Sequence, residues 1–137
     1  APAAVAGTPM DFSTPHLIGE RIDTDTDQLR WARGYDHTYI LDKELGKLAI
    51  ASRCSSPKTG IVMEVYTDQP GVQLYTGNWM SGNLRGKHDH RYPARAALCL
   101  ETQHYPDSPN KPEYPSTRLN PGETFRSTTI FHFTLEA

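Results

Sequence analysis

Apolar and polar residues alternate one for one through several stretches of this chain, and a period of two residues is the signature of strands with one buried face. In residues 47–54, Leu48, Ile50 and Cys54 fall on one side; in residues 61–66, Ile61, Met63 and Val65 do the same. Residues 57–60 between them read as a hairpin-like turn. Residues 72–76 place Val72 and Leu74 on one side and Gln73 and Tyr75 on the other, so Gln73 is expected to point away from the apolar face. In residues 125–135 the set Phe125, Ser127, Thr129, Phe131, Phe133 and Leu135 alternates with Arg126, Thr128, Ile130, His132 and Thr134, which predicts a long closing strand. Two more strands are expected, over residues 35–41 with Asp36 at the entrance, and over the continuous apolar run 96–100, which reads as a buried strand ending at Glu101 where a sheet opens.

Helical spacing is confined to one short segment. Asp23, Asp25 and Asp27 precede Gln28, Leu29, Arg30, Trp31 and Ala32, which predicts a short helix capped by an aspartate and ended by Gly34. Residues 1–19, with Pro2, Pro9, Pro15, Gly7 and Gly19, read as an irregular lead-in, and residues 76–95 as a long surface loop. Pro106, Pro109, Pro112, Pro115 and Pro121 keep their stretch out of any sheet, so it is expected to run extended over the surface. The class that follows is all-β, with an antiparallel sandwich as the layout and residues 1–137 as a single segment.

Composition narrows the function. With 36% hydrophobic and 22% charged residues the chain suits a globular fold, and a net charge of −2 leaves no basic footprint for nucleic acid or anionic lipid. No apolar stretch approaches the roughly 18 residues of a membrane helix. The first ten residues lack the basic region and apolar core of a signal peptide, so a cytoplasmic location is expected, and neither a membrane nor a nucleic acid is an expected partner. Cys54 and Cys99 each sit in a strand-like run as small hydrophobes, in keeping with a reducing compartment.

The candidate chemistry centres on Glu101. A carboxylate at the mouth of a partly desolvated cleft can stay ionised near neutral pH and still accept a hydroxyl proton. From composition alone the plainer readings are a solvated carboxylate for Glu101, a cap or turn residue for Asp36 and an exposed strand amide for Gln73. His88 and His90 are two residues apart and would share a strand face, but two ligands fall short of a metal site, so no metal is expected.

Four blocks change that balance: GYDH at residues 34–37, PGVQLYTGNW at 70–79, CLETQHYPDSPN at 99–110 and LNPGETF at 119–125. In wording, order and spacing they resemble the carboxyl-terminal part of the galactose mutarotase, or aldose 1-epimerase, family, over residues 9–133. The resemblance implies the later strands of a large twisted β-sandwich whose concave face holds a monosaccharide, and a reaction that interconverts the α and β anomers of a hexose without metal or organic cofactor. It implies Glu101 as the catalytic base, with Asp36 and Gln73 as hydrogen-bonding partners of sugar hydroxyls. His37 and His104 are expected to support these residues, and Trp79 either to wall the cleft or to anchor its loop.

The family's acid is a histidine of its amino-terminal half, accompanied by a second histidine and an arginine, and their motifs do not occur here. The residues before CLET, Arg95, Ala96, Ala97 and Leu98, also depart from the family's usual small residue, glycine and aromatic. The chain is therefore expected to be incomplete alone and to be completed by a second polypeptide carrying the amino-terminal half, or by self-association through an open edge. The alternatives to a mutarotase are a sugar-binding pseudoenzyme module and a diverged isomerase or cyclase acting on another cyclic substrate.

Overall fold

A computed structural model describes residues 1–136. In chain order the elements are α1 (Ile18–Arg21), α2 (Asp27–Ala32), β1 (Asp36–Ile40), β2 (Ala49–Ser55), β3 (Ile61–Thr67), β4 (Gly71–Tyr75), β5 (Ser81–Arg85), β6 (Arg91–Pro93), β7 (Cys99–Gln103) and β8 (Thr129–Leu135). Single 3-10 turns lie at Lys87–Asp89 and Ser108–Asn110. The class is all-β, as the alternation predicts. Among the described residues three sheets form, with strand orders β1-β4-β7, β2-β3-β8 and β5-β6. Contacts divide the chain into two units: residues 1–36 with 75–99, and residues 37–74 with those from Leu100 onward.

The first unit is built around Tyr35, which is fully buried together with Leu29 and Ile22. Phe12 meets the Tyr35 ring edge to face, at 5.2 Å between centroids, and the phenol donates to the Pro9 carbonyl at 2.9 Å. Burial pushes the titration of that phenol upward. The N-cap position before α2 is taken by Thr26, not by an aspartate, and Thr26 makes no side-chain capping bond; Asp27 is the first helical residue, where a negative charge favours the helix dipole. Arg33, with φ 59°, takes the left-handed closing position, and Gly34 N–H returns to the Leu29 carbonyl at 3.0 Å.

Gly34 is needed for a different reason. A Cβ there would lie 2.4 Å from Asn78 Oδ1, and its φ of 139° is one that other residues avoid. The predicted loop 76–95 proves to contain the β5-β6 hairpin, paired at Ser81↔Pro93 and Arg85↔Arg91. Its strands escaped the alternation test because nearly all of their side chains face water.

In the second unit β3 is the central strand, antiparallel to β2 on one side and to β8 on the other. Val62, Val65 and Thr67 are fully or almost fully buried. A register shift between Ile50 and Ser52 breaks the predicted alternation of β2, and Leu48 and Ile50 are exposed. The closing strand is shorter than its alternation suggests and begins at Thr129. The Asp68 carboxylate accepts from Thr128 N–H at 2.8 Å and from the Ser127 hydroxyl at 3.0 Å, holding the residues before β8 in a loop. Arg53 of β2 pairs with Glu136, the residue after β8, and lies 3.8 Å from Glu64 of β3. The Tyr66 hydroxyl, and then His132, hold the Glu64 carboxyl below the usual range. No helix among the described residues is long and apolar enough to cross a membrane.

Candidate active site

The β1-β4-β7 sheet carries all three residues singled out for chemistry: Asp36 opens β1, Gln73 is the middle of β4, and Glu101 is the middle of β7. Gln73 is half-buried, and its Oε1 accepts the Thr38 hydroxyl. Thr38 is in turn approached by Gln103 Nε2 at 3.4 Å. A line of polar contacts therefore crosses all three strands, from β7 through β1 to β4, and places Thr38, Gln73 and Gln103 on one face.

Side chains alternate along a strand, so Glu101, two residues before Gln103, belongs to that same face. Along β1 the half-buried Asp36 stands in phase with Thr38, and His37 out of phase. Thr38 and Gln103 are polar residues of this face beyond the three singled out for chemistry. Their signal was present as spacing, each standing two positions after a residue already singled out.

The surroundings of Glu101 correct two expectations. The apolar run before it is not a buried strand: Ala96 and Ala97 are exposed, Arg95 adopts φ 64°, and pairing starts only at Cys99. Glu101 lies in mid-strand with its side chain exposed, not in a partly desolvated cleft. Two surface hollows, one of about 520 Å³ bounded by Ser108, Lys111, Tyr114 and Arg118 and one of about 370 Å³ near Pro9, do not include it. The reason is architectural. β7 ends its sheet's strand order, and no further layer among the described residues covers the side chain.

His104 packs as a supporting residue. Its Nδ1 lies 2.8 Å from Gln69 Oε1, an atom that only accepts, so Nδ1 is the donor. Gln69 Nε2 passes the connection on to Ser127 at 2.9 Å. The Tyr105 hydroxyl reaches the Pro70 carbonyl at 3.3 Å, and burial raises the titration of that phenol. In the first unit, Trp79 is exposed and stacks under the Arg33 guanidinium at 4.5 Å. Asn78, beside it in the same block, is buried and bound to backbone.

Arg95, which departs from the family wording, binds both oxygens of Asp23 at 2.6 and 3.0 Å and the Arg33 carbonyl at 3.0 Å. That donation draws the Asp23 carboxyl below the usual range. The His88 and His90 rings stand 6.5 Å apart on the exposed hairpin tip, and no group of three or more His, Cys, Asp or Glu among the described residues is placed to hold a metal ion.

The family model for aldose 1-epimerase matches residues 2–132 of this chain. The chain belongs to the aldose 1-epimerase family. Galactose mutarotase of Mus musculus is 41% identical over 133 residues, and aldose 1-epimerase of Escherichia coli K12 is 36% identical over 136 residues; each match takes in 97% of this chain. It takes in only 37% and 38% of those relatives, and the part matched is the carboxyl-terminal one. The chain thus spans well under half the length of the curated relatives it matches.

Among solved structures, the GalM/aldose epimerase homologue from C. elegans superimposes with a TM-score of 0.80 over 96% of this chain and 38% of its own. At 24% identity that likeness speaks for the fold alone. The epimerase-family blocks GYDH and CLETQ thus lie on two strands of one sheet, with PGVQ leading into the third.

Proposed function

We propose that this chain is the base-bearing part of an aldose 1-epimerase, acting on a hexose within a larger domain whose remainder supplies the acid. The observation that carries the reading is the shared face of Glu101, Gln73, Thr38 and Gln103 in a chain of this family. Glu101 takes the proton of the C1 hydroxyl as the bond from C1 to the ring oxygen breaks, and the acid protonates that oxygen. The open aldehyde turns about its bond to C2. On closure the ring hydroxyl returns its proton to the acid, and protonated Glu101 gives its own to the new C1 hydroxyl. Asp36 and Gln73 hold sugar hydroxyls, replacing the hydrogen bonds that those groups lose on leaving water. The steps need no metal or organic cofactor, because every bond change is a proton transfer coupled to opening of a hemiacetal.

The exposure of Glu101 fits this division of labour, since a base works in a cleft only when the opposite wall is in place. The partner in this reading is the polypeptide that precedes the matched part in the relatives, whether joined to this chain or separate. The test is polarimetry on freshly dissolved α-glucose and α-galactose, with this chain joined to the amino-terminal part of mouse galactose mutarotase. Acceleration above the spontaneous rate is expected, and Glu101→Gln should lower it by about 10²–10⁴-fold. Full acceleration in Glu101→Gln would remove Glu101 from the role of base.

A second reading, a sugar-binding module without turnover, draws on the half-buried state of Gln73 and Thr38 beside an exposed Glu101. Calorimetry that records hexose binding without any mutarotation would favour it.

A further inference from the structure

We infer that β8 is the seam at which the remainder of the aldose 1-epimerase domain joins this chain, adding a strand to its outer edge and a layer over its apolar face. The inference rests on the reading that the chain works within a larger domain. Its evidence is local to the β2-β3-β8 sheet. β8 ends that sheet's order, and no other strand among the described residues pairs with its outer side. Its seven residues, Thr-Ile-Phe-His-Phe-Thr-Leu, include no proline and no Lys, Arg, Asp or Glu, the residues with which proteins commonly protect an edge.

The two faces of β8 differ. On one, Ile130, His132 and Thr134 stand in register with Tyr66, Glu64 and the buried Val62, and His132 lies 3.4 Å from the Glu64 carboxylate. On the other, the register places Phe131, Phe133 and Leu135 against Val65, Met63 and Ile61. There Phe131 is 50% exposed, Phe133 61%, Leu135 73% and Ile61 46%. This strip amounts to roughly 400 Å² of apolar surface, a size that commonly marks an interaction site.

The choice of occupant follows from the length comparison and from geometry. In the C. elegans structure the same fold makes up 38% of the chain, and the mouse and E. coli relatives also carry more polypeptide than the part matched here. A second copy of this chain pairing edge to edge would satisfy the backbone of β8. Yet the two-fold axis of such a pair stands perpendicular to the sheet, so both apolar strips would end on the same side, doubled and still uncovered. A strand with a covering layer behind it removes both the open edge and the strip.

The experiment joins this chain through a protease-cleavable linker to the amino-terminal part of mouse galactose mutarotase, cuts the linker, and follows the product by native mass spectrometry and hydrogen exchange. The expected result is a 1:1 complex that survives cutting, with the outward-facing amides of residues 130–135 exchanging at least about tenfold more slowly than in this chain alone. Phe133→Lys should release the halves, and Leu45→Lys, at a 61% exposed position in the loop between β1 and β2, should not. The inference is overturned if the wild-type halves separate, if the β8 amides exchange as fast in the complex as alone, if Phe133→Lys leaves the complex intact, or if this chain alone forms a dimer that Phe133→Lys abolishes. The exchange data on the wild-type chain do not depend on how any variant folds. Mutarotation is scored separately: a complex with protected β8 and no acceleration would sink the proposed activity and leave the seam standing.

Discussion

Replacing Asn78 tests whether a buried amide holds the first unit together. Asn78 Nδ2 donates to the Ala32 carbonyl at 3.0 Å and to the Tyr35 carbonyl at 2.8 Å, and its Oδ1 accepts the Thr76 hydroxyl at 2.7 Å. The side chain thereby ties the end of α2 and the GYDH block to the segment after β4. At about 1 kcal/mol net per bond, and with Tyr35's carbonyl still served by Thr76, Asn78→Ala is expected to cost about 2–3 kcal/mol.

Asn78→Asp keeps the shape and exchanges a donor for an oxygen that faces two carbonyl oxygens, so at neutral pH it should cost more, about 3–4 kcal/mol. The sign of its pH dependence follows. The charged form is disfavoured in the folded state, the introduced group therefore titrates above its unfolded value, and the extra cost should shrink as pH falls and the acid donates to one carbonyl. Urea unfolding followed by tryptophan fluorescence isolates the effect, because Trp31 and Trp79, the chain's two tryptophans, both lie in this unit. With a slope of about 1.5 kcal/mol per molar, Asn78→Ala should lower the midpoint by about 1.3–2 M. A loss below about 0.5 kcal/mol for Asn78→Ala, the ordinary surface value, would refute the reasoning. So would an Asn78→Asp deficit that is the same at pH 7 and pH 5.

Four further outcomes are expected. Gly34→Ala drives a Cβ to 2.4 Å from Asn78 Oδ1 and should destabilise the same unit by about 2 kcal/mol or more; an unchanged fluorescence midpoint would contradict the packing. Val65→Ala removes two methyl groups from a fully buried site in β3 and should cost about 2–3 kcal/mol, read by circular dichroism during urea unfolding. Iodoacetamide at mildly alkaline pH should label exposed Cys99 before Cys54, whose thiol is pushed upward by burial; mass mapping that finds Cys54 first would reverse the burial order.

Acid should weaken the protein through Asp23 and Glu64, both held below the usual carboxylate range. Their contribution is present above the unfolded carboxylate value and lost as pH falls through the lower folded one. Asp23→Asn and Glu64→Gln should flatten the acid limb of a stability profile, and an identical limb in the double variant would remove both from the account.

Much of the architecture was legible in the chain itself. A period of two residues marks β3 and β4, proline spacing keeps the segment before β8 out of the sheets, and the expected strands that carry Asp36, Gln73 and Glu101 are present as β1, β4 and β7. These properties are local: alternation and backbone restriction act within a few residues, so the order of residues alone carries them. Tertiary structure decided what depends on which segments meet. It made Arg33 the end of α2 and reserved Gly34 for the approach of Asn78, it halted the closing strand at Thr129 through Asp68, and it drew Thr38 and Gln103 into line with Gln73. It also left Glu101 and the apolar face of β8 open to water, because burial belongs to the layer standing opposite a residue and cannot be read from the residue's own neighbours in sequence.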